Sequence, residues 1–337
     1  MTYRLSLIDK SPLPAGSSAA EAFRATLRMA QRAEALGYHR FWVAEHHGNP
    51  NLAGSAPEVL AAYLLAQTQR IRIGSGGVML QHYSPYKVAE VFKVLSALAP
   101  GRVDLGVGKA PGGLPQSTRA LQARHDPAHP VGFDSLLGDL DAFLHTPLPP
   151  GHPLEGAWAG PVPSALPECV LLGAAPDSAR LAARLGWHFC YAGHFNSDPA
   201  QLERSLAAYR QDSGREPWMA LYAFAAPRRA QAERLVAGVR TFKLHLPTGQ
   251  SVNLPSPEAA AEFARQAGVH DYRLEETRPQ VIAGTAEEVR TALDQLHQRH
   301  GITEFVIDTP VPDFDERLAS IGLLAQARQP CAEPALA

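Results

Sequence analysis

The chain has 337 residues, and its 31 Lys and Arg against 33 Asp and Glu give a formal net charge of −2, which argues against nucleic acid as a partner. A hydrophobic content of 45% excludes a disordered chain, and three cysteines without C-x-x-C spacing (Cys169, Cys190 and Cys331) exclude a disulfide framework or a zinc knuckle. Without a signal-peptide pattern or an apolar run of ~18 residues, we expect a cytoplasmic protein with no membrane partner.

Eight short apolar or β-branched segments are predicted strands. Several are apolar almost throughout, as strands buried on both faces are. In chain order they are Arg4–Asp9, Arg40–Ala44, Ile71–Leu80, Val103–Val107, Cys169–Gly173, Trp187–Tyr191, Met219–Phe224 and Glu304–Asp308.

Helical segments with clear start and stop signals lie between these strands. Ser18 and Glu21 form a capping-box pattern that opens a helix closed by Gly37, and Ser84-Pro85 opens another. Parallel strands need such crossovers, so the alternation predicts an α/β fold, a (β/α)8 TIM barrel in a single domain over residues 1–337. The alternative is a doubly wound open sheet with a second domain. No G-x-G-x-x-G follows the first strand, which disfavours its dinucleotide-binding form.

Two connections are too long for plain crossovers. One follows strand four, over about residues 109–168, and includes a predicted helix near Asp134–Leu144; the other lies between strands seven and eight, over about 241–282. Long segments at a barrel rim are typical of pocket covers, so we interpret both as inserts rather than as a domain.

A barrel places its active site where the strands end, and strand two runs into Glu45-His46-His47. Adjacent side chains on a strand point to opposite faces, so one histidine faces the mouth. A general acid or base is the favoured role, since histidine titrates near neutral pH. The alternatives are a metal site, for which the contiguous spacing is unfavourable, and a structural hydrogen bond at the rim.

Gly76 and Gly77 lie within strand three, where glycine weakens a buried strand. They indicate the close approach of a ligand or a backbone conformation that other residues avoid; a β-bulge is the alternative.

The turn after strand five, Gly173 to Ser178, leads into a helix and provides free N–H groups, a helix dipole and a hydroxyl. Lys109 ends the neighbouring strand and adds a cation. Together these features predict a site for a phosphorylated cofactor. A solvated lysine beside an ordinary helix start is the alternative.

Several blocks of the sequence resemble the bacterial-luciferase-like flavin monooxygenase family. They are YHRFWVAEHH, IGSGGVMLQHYSPYKVAEVFKVLSALAPGRVDLGVGKAPGG, LLGAAPDSARLAARLGW, VIAGTAEEVRTAL and EFVIDTPVPDFDERLASIGLLA. The resemblance covers nearly the whole chain. It implies a barrel that binds reduced FMN from a separate flavin reductase and uses O2 to oxidise a small organic substrate. One branch of the superfamily uses the deazaflavin F420 for hydride transfer instead.

The resemblance also assigns roles to residues. His46 matches the catalytic histidine, and Gly76-Gly77 matches a pair joined by a non-prolyl cis peptide under the flavin ring. Lys109 stands where the family usually has an arginine that contacts the FMN phosphate, which replaces a bidentate fork by a point charge. The phosphate loop corresponds to Gly173, Ala174, Ala175 and Ser178.

The substrate itself is not specified by the sequence. Candidate pocket residues are Met79, His82 and His194 with the adjoining Phe195. The resemblance implies a homodimer through barrel helices two and three, where Ala61, Ala62, Leu64 and Leu65 form an apolar face that alternatively packs on the barrel wall. A flavin-binding protein without catalysis is the remaining functional alternative.

Overall fold

The computed structural model describes residues 3–126, 128–145, 148, 150–194, 198–249 and 251–326. Its strands are β1 (Arg4–Asp9), β2 (Arg40–Val43), β3 (Arg72–Met79), β4 (Val103–Gly108), β5 (Glu168–Gly173), β6 (His188–Ala192), β7 (Trp218–Ala225), β8 (Thr241–His245), β9 (Ser251–Leu254), β10 (Arg273–Thr277), β11 (Val281–Gly284) and β12 (Glu304–Asp308). Its helices are α1 (Ala19–Ala35), α2 (Pro57–Ala66), α3 (Pro85–Leu98), α4 (Pro115–Leu121), α5 (Phe133–His145), α6 (Pro176–Arg184), α7 (Pro199–Ser213), α8 (Arg229–Val236), α9 (Pro257–Ala267), α10 (Ala286–His300) and α11 (Phe314–Gln326).

Eight parallel strands close into a barrel. β1 to β7 follow one another around it, and β12 pairs with both β7 and β1 to complete the circle. The predicted (β/α)8 barrel is therefore confirmed, and each predicted strand is present to within one residue at either end. The capping box of Ser18 and Glu21 opens α1 as the sequence predicts.

Alternation along each strand divides the apolar residues between two layers. Outward-facing residues pack under the helices in the main core, and inward-facing residues fill the barrel. The interior layer consists of Ile8, Trp42, Ala44, Val170, Cys190, Trp218, Ala220 and Val306, with Leu172 partly buried against them.

The insert between β7 and β12 contains short strands that the sequence analysis does not predict. β8, β9 and β10 form an antiparallel sheet, and β11 pairs in parallel with the end of β7. β10 reads RLEET and is mostly exposed, so its apolar pattern is too weak to identify a strand.

The two inserts contact each other. Leu114, just before α4, packs against an apolar cluster of the second insert that contains Leu244, Leu254 and Phe263. The backbone N–H of Gln116 donates to Gln266 Oε1 at 2.9 Å. The predicted helix of the first insert is α5, which packs on α3.

The apolar residues predicted for the surface of α2 are mostly turned inward. Ala61 and Leu64 are 0% exposed and Leu65 is 7% exposed, all within the main core. Val59 and Tyr63 on α2, with Val94 and Leu98 on α3, are the exposed apolar residues instead. Across the described ranges, no helix has the length and apolar character needed to span a membrane.

Candidate active site

A ring of polar side chains lies above the interior layer, at the end of the barrel where the strands terminate. Each member stands two or four residues beyond an interior residue on its own strand, so alternation turns it inward. The polar ring consists of Lys10, His46, His194, Tyr222 and Asp308. Tyr222 lies in β7 and Asp308 ends β12. The other three follow strands: Lys10 follows β1, His46 follows β2 and His194 follows β6.

Lys10 and Asp308 form the charged pair of the polar ring. Lys10 Nζ lies 2.5 Å from Asp308 Oδ2 and donates to the Tyr222 hydroxyl at 3.2 Å. It also lies 5.0 Å from the centre of the Tyr222 ring. Burial opposes the charged form of Lys10, but the attraction of Asp308 and Tyr222 prevails and raises its pKa. Lys10 is therefore a fixed cation on the wall of the site.

His46 has a buried ring nitrogen without a hydrogen-bond partner among the described residues. This atom is Nδ1, whereas the backbone N–H of His46 donates to Gly54 O at 2.8 Å, which fixes the chain. Burial, assisted by the charge of Lys10, lowers the pKa of His46 to about 4. A buried polar atom of this kind is typical of a ligand-binding or catalytic position.

His194 and Tyr222 occupy the opposite part of the ring. Their rings meet edge to face with centroids 5.5 Å apart, and His194 is 6% exposed. Burial lowers the pKa of His194 to about 4 and raises the pKa of Tyr222. Both side chains are therefore uncharged near neutral pH, which leaves the Lys10–Asp308 pair as the charges of the ring.

Glu45 holds the segment that carries His46. Its carboxylate is 1% exposed and accepts hydrogen bonds from His47 Nε2 at 2.7 Å and the Tyr83 hydroxyl at 2.8 Å. It also accepts from the backbone N–H of Met79 at 3.1 Å. Of the predicted Glu45-His46-His47 constellation, Glu45 and His47 are thus bonded to each other, whereas His46 joins the polar ring.

The peptide bond between Gly76 and Gly77 is cis, as the resemblance implies, and the register of β3 against β4 shifts there in a β-bulge. A Cβ at Gly77 would lie 2.8 Å from Gly106 O, and a Cβ at Gly76 would lie 2.9 Å from Ile8 Cδ1. The protein's own packing therefore requires both glycines. The β-bulge alternative is thus confirmed, and the close approach of a ligand stays a prediction.

Small residues occupy the strands that do not contribute to the polar ring. The inward positions of β3 and β4 are glycines, and the turn after β5 begins with Ala174. The glycines concerned are Gly74, Gly76, Gly106 and Gly108. A Cβ at Gly74 or Gly106 would lie 2.2 Å from a backbone oxygen of the neighbouring strand, so glycine allows the strands to pack closely here.

Lys109 faces away from the polar ring. It follows Val107 by two residues, and Val107 belongs to the outer core layer, so Lys109 points outward as well. Its ammonium lies 5.5 Å from the centre of the Phe133 ring, and no ion pair involves it within the described chain. Because Val107 pairs with Leu171, Lys109 is level with Gly173 on the neighbouring strand.

The predicted phosphate loop leads into α6 without a side-chain cap. Ala175 is the N-cap residue, and the first intrahelical bond is donated by Ala179, so the N–H groups of Asp177 and Ser178 point to the space before the helix. A Cβ at Gly173 would lie 2.7 Å from Ser178 Cβ, so the glycine lets the serine pack against the strand end. Free N–H groups at a helix start favour anions in general.

The loop is held from behind by α7. Ala174 O accepts from Gln201 Nε2 at 2.8 Å and from Ser205 Oγ at 3.3 Å. These contacts fix the backbone of the loop before α6. The sequence analysis did not identify Gln201 or Ser205, because their role is a long-range contact without a local motif.

The predicted pocket residues fall in different places. His194 belongs to the polar ring, and Met79 lies against Gly108 and Gly112. His82 donates from Nε2 to Pro111 O at 2.8 Å and accepts at Nδ1 from Gln122 at 3.1 Å, so its ring holds the first insert in place. Phe195 lies outside the described residues.

Among the described residues, no three His, Cys, Asp or Glu side chains converge in a way that could hold a metal ion.

The polar ring also contains residues that were not predicted from the sequence. Lys10, Tyr222 and Asp308 each stand two positions beyond an apolar interior residue, so the period of two that selects one histidine of His46-His47 would also identify them.

Comparisons with known proteins identify relatives of this chain. A family model described as luciferase-like monooxygenase matches residues 4–131. The N-acetyl-S-alkylcysteine monooxygenase of Bacillus subtilis (strain 168) is 43% identical over 329 residues, which cover 96% of this chain and 98% of the relative.

Solved structures share the fold. The crystal structure of apo-MsnO8 has a TM-score of 0.75 and 32% identity, covering 96% of this chain and 97% of the other. The oxygenating constituent of 3,6-diketocamphane monooxygenase from Pseudomonas putida, a type II Baeyer-Villiger monooxygenase in complex with FMN, has a TM-score of 0.70. At 17% identity over 96% of this chain and 98% of the other, it shows the fold alone. The barrel, the cis Gly76–Gly77 bond and the extensive match to the Bacillus enzyme establish that this chain belongs to the luciferase-like monooxygenase family.

Proposed function

We propose that the protein is an FMN-dependent monooxygenase that acts on a small organic sulfur compound. The observation that carries the proposal is the polar ring at the end of the barrel, in which His46 has a buried nitrogen without a hydrogen-bond partner among the described residues. On the outer side of the barrel, Lys109 and the start of α6 would form a site for one anion.

The residues fit a flavin mononucleotide. The outward anion site would hold the phosphate through Lys109, Ser178 and the first N–H groups of α6, and Ala174 and Ala175 would add little steric hindrance. The isoalloxazine ring would lie over Gly76 and Gly77. A bound reduced flavin supplies the two electrons that reduce O2, so that one oxygen atom enters the product and the other leaves as water.

The polar ring would face the reacting atoms. His46, neutral near pH 7, can accept or return a proton at its unpartnered nitrogen. His194 and Tyr222 are uncharged and shape the wall, and Met79 borders the same space. The two inserts, docked on each other, would limit the access of water.

The substrate class is taken from the Bacillus relative, whose name specifies an N-acetyl-S-alkylcysteine. At 43% identity over 96% of this chain, a thioether of this type is the first compound to test. We also propose that reduced FMN comes from a separate flavin reductase.

The direct test measures reduced FMN binding to the purified protein without oxygen, and then product formation when oxygen and N-acetyl-S-benzylcysteine are added. We expect saturable binding and incorporation of one atom of labelled O2, detected by mass spectrometry. F420 is the matched competitor. Binding of F420 with hydride transfer would replace the proposal by the deazaflavin alternative, and flavin binding without turnover of any thioether would favour a non-catalytic flavin protein.

We further propose a homodimer through the exposed apolar residues of α2 and α3. Light scattering of wild type and of a Val59→Glu, Leu98→Glu variant tests it. The expected result is a dimer that becomes monomeric in the variant, and a monomeric wild type would disprove the proposal.

A further inference from the structure

Three neighbouring strands bring Lys10, His46 and Asp308 together. β1 pairs with β2 on one side and with β12 on the other, and Ile8 is in register with Asp308. Lys10 follows Ile8 by two residues and faces the same side of the strand. Its ammonium is therefore placed between the carboxylate at the end of β12 and the imidazole after β2.

The ammonium of Lys10 is fixed, which is unusual for a long side chain with four rotatable bonds. Asp308 Oδ2 lies 2.5 Å from Nζ, the Tyr222 hydroxyl accepts a hydrogen bond at 3.2 Å, and the Tyr222 ring lies 5.0 Å from Nζ. The lysine side chain is 22% exposed. An ordinary surface lysine has none of these constraints.

His46 is surrounded by groups that differ in their effect on its protonation. The charged or titratable groups that act on it are Lys10 from β1, Asp308 from β12, His47 from its own segment and His194 after β6. Asp308 alone favours an imidazolium, and Lys10 neutralises that carboxylate. An imidazolium also needs a partner for each N–H, and Nδ1 has none among the described residues.

We propose that Lys10 is a positioning residue that keeps the His46 imidazole neutral by pairing with Asp308. Lys10 need not touch the reacting atoms to do this. Without the ammonium, the Asp308 carboxylate faces the imidazole unopposed, and His46 takes up a proton at a higher pH. A protonated His46 cannot act as a base, so the charge of Lys10 sets the acid limit of activity under the proposed function.

Histidine NMR of the protein without flavin tests the charge state directly. The His46 resonance is assigned by its loss in His46→Gln, and its titration is followed in wild type, Lys10→Met, Asp308→Asn and the double variant. We expect Lys10→Met to raise the His46 midpoint by about one pH unit or more, since a nearby unopposed carboxylate favours the charged imidazolium. Asp308→Asn leaves the midpoint as low as in wild type or lower, and the double variant lies near wild type.

The opposite signs separate electrostatics from a loss of structure, which would move both single variants in the same direction. Lys10→Arg is the matched control: it keeps the charge and should keep the wild-type midpoint. A His46 midpoint unchanged in Lys10→Met, or raised equally in Asp308→Asn, would overturn the proposal. If Lys10→Met does not fold, Lys10→Gln, which also removes the charge, takes its place, and the same rise of the His46 midpoint is expected.

The second readout is the pH profile of turnover, which rests on the proposed function. In Lys10→Met, the acid limb should move to higher pH by the same shift as in the NMR titration. In Lys10→Arg, it should lie at the wild-type pH. An NMR shift without any turnover would contradict the proposed function alone, whereas turnover with an unmoved acid limb would contradict the role of Lys10.

Discussion

The carboxylate of Glu45 accepts the backbone N–H of Met79 at 3.1 Å, and this bond ties the segment that carries His46 to the strand that carries Gly76 and Gly77. The same carboxylate accepts from His47 and Tyr83. Glu45 therefore fixes the segment that carries His46 relative to β3.

Glu45→Ala should disturb that placement. Three donors lose their acceptor, so we expect a loss of about 2–3 kcal/mol in the free energy of unfolding. Misplacement of His46 should lower turnover about 100-fold. Tyr83→Phe removes a single bond and serves as the control, with less than ~10-fold loss expected. Urea denaturation and steady-state kinetics measure both, and equal effects in the two variants would contradict a framing role for Glu45.

Gly77→Ala places a Cβ 2.8 Å from Gly106 O and 2.9 Å from Val107 C, where backbone cannot give way cheaply. Overpacking of this kind costs about 1–3 kcal/mol or more. Gly138→Ala is the matched control, because Gly138 lies within α5 and a Cβ there meets nothing within 4 Å. It should stabilise the protein by up to ~1 kcal/mol. Thermal unfolding of the two variants distinguishes them by sign.

Lys109→Met tests the outward anion site. If the lysine binds the phosphate, the variant should bind FMN about 10-fold or more weakly, while riboflavin, which has no phosphate, binds as in wild type. Fluorescence titration with both flavins gives the Kd of each, and the ratio of the two Kd values is compared between wild type and variant. Lys87→Met, in an exposed pair with Glu90, controls for net charge. Equal weakening of FMN and riboflavin would remove Lys109 from the phosphate site.

Arg40 anchors a buried ion-pair network at the opposite end of the barrel from the site. Its guanidinium is 0% exposed and lies 2.6 Å from Glu304 Oε1 and 2.9 Å from Asp104 Oδ2. Arg40→Met leaves the buried Glu304 carboxylate without its cation and leaves Asp104 paired with Arg72 alone, which costs about 3–5 kcal/mol. We expect a large drop in the urea midpoint, with kcat of the remaining folded protein nearly unchanged. An exposed pair such as Lys87–Glu90 contributes less than ~1 kcal/mol, so Lys87→Met should leave the midpoint almost unmoved.

Acid should weaken the fold through buried histidines. Burial lowers the pKa of His46 and His194 to about 4, whereas an unfolded histidine titrates near 6.5. Between pH ~6.5 and ~4 the unfolded chain binds more protons, so stability falls as the pH falls, by up to ~1.4 kcal/mol per pH unit for each group.

His194→Phe removes one of these groups and keeps the edge-to-face contact with Tyr222. Unfolding free energies at pH 5 and pH 7 should therefore differ less in the variant than in wild type. An identical difference in the two proteins would show that His194 is not neutral in the folded state.

The barrel was predictable because its signals are local. Eight apolar segments alternate with capped helices, and each strand stops where its apolar run stops, as β12 does at Asp308. The antiparallel sheet of the second insert was not predictable, since β10 is short, charged and exposed, and its pairing with β8 is set by tertiary contact.

The candidate site likewise contains residues that local sequence patterns predict and residues that only tertiary contacts bring together. His46 and Gly76-Gly77 stand in recognisable local patterns, and the structure brings them to one end of the barrel. Lys10 and Asp308 are close only because β1 pairs with β12 across nearly 300 residues of chain, a relationship that no local pattern contains. Gln201 and Ser205 likewise act through the fold, by holding Ala174 O from α7.

Lys109 and the polar ring lie on opposite faces of the barrel strands, so different residues face the outer and the inner side. Under the proposed function, the outward Lys109 and the start of α6 would hold the cofactor's phosphate, and the inward residues of β1, β2, β6, β7 and β12 would face the reaction. A substitution on one side of a strand leaves the geometry of the other side in place. An inward substitution could then alter the chemistry while the outward anchor for the cofactor is kept.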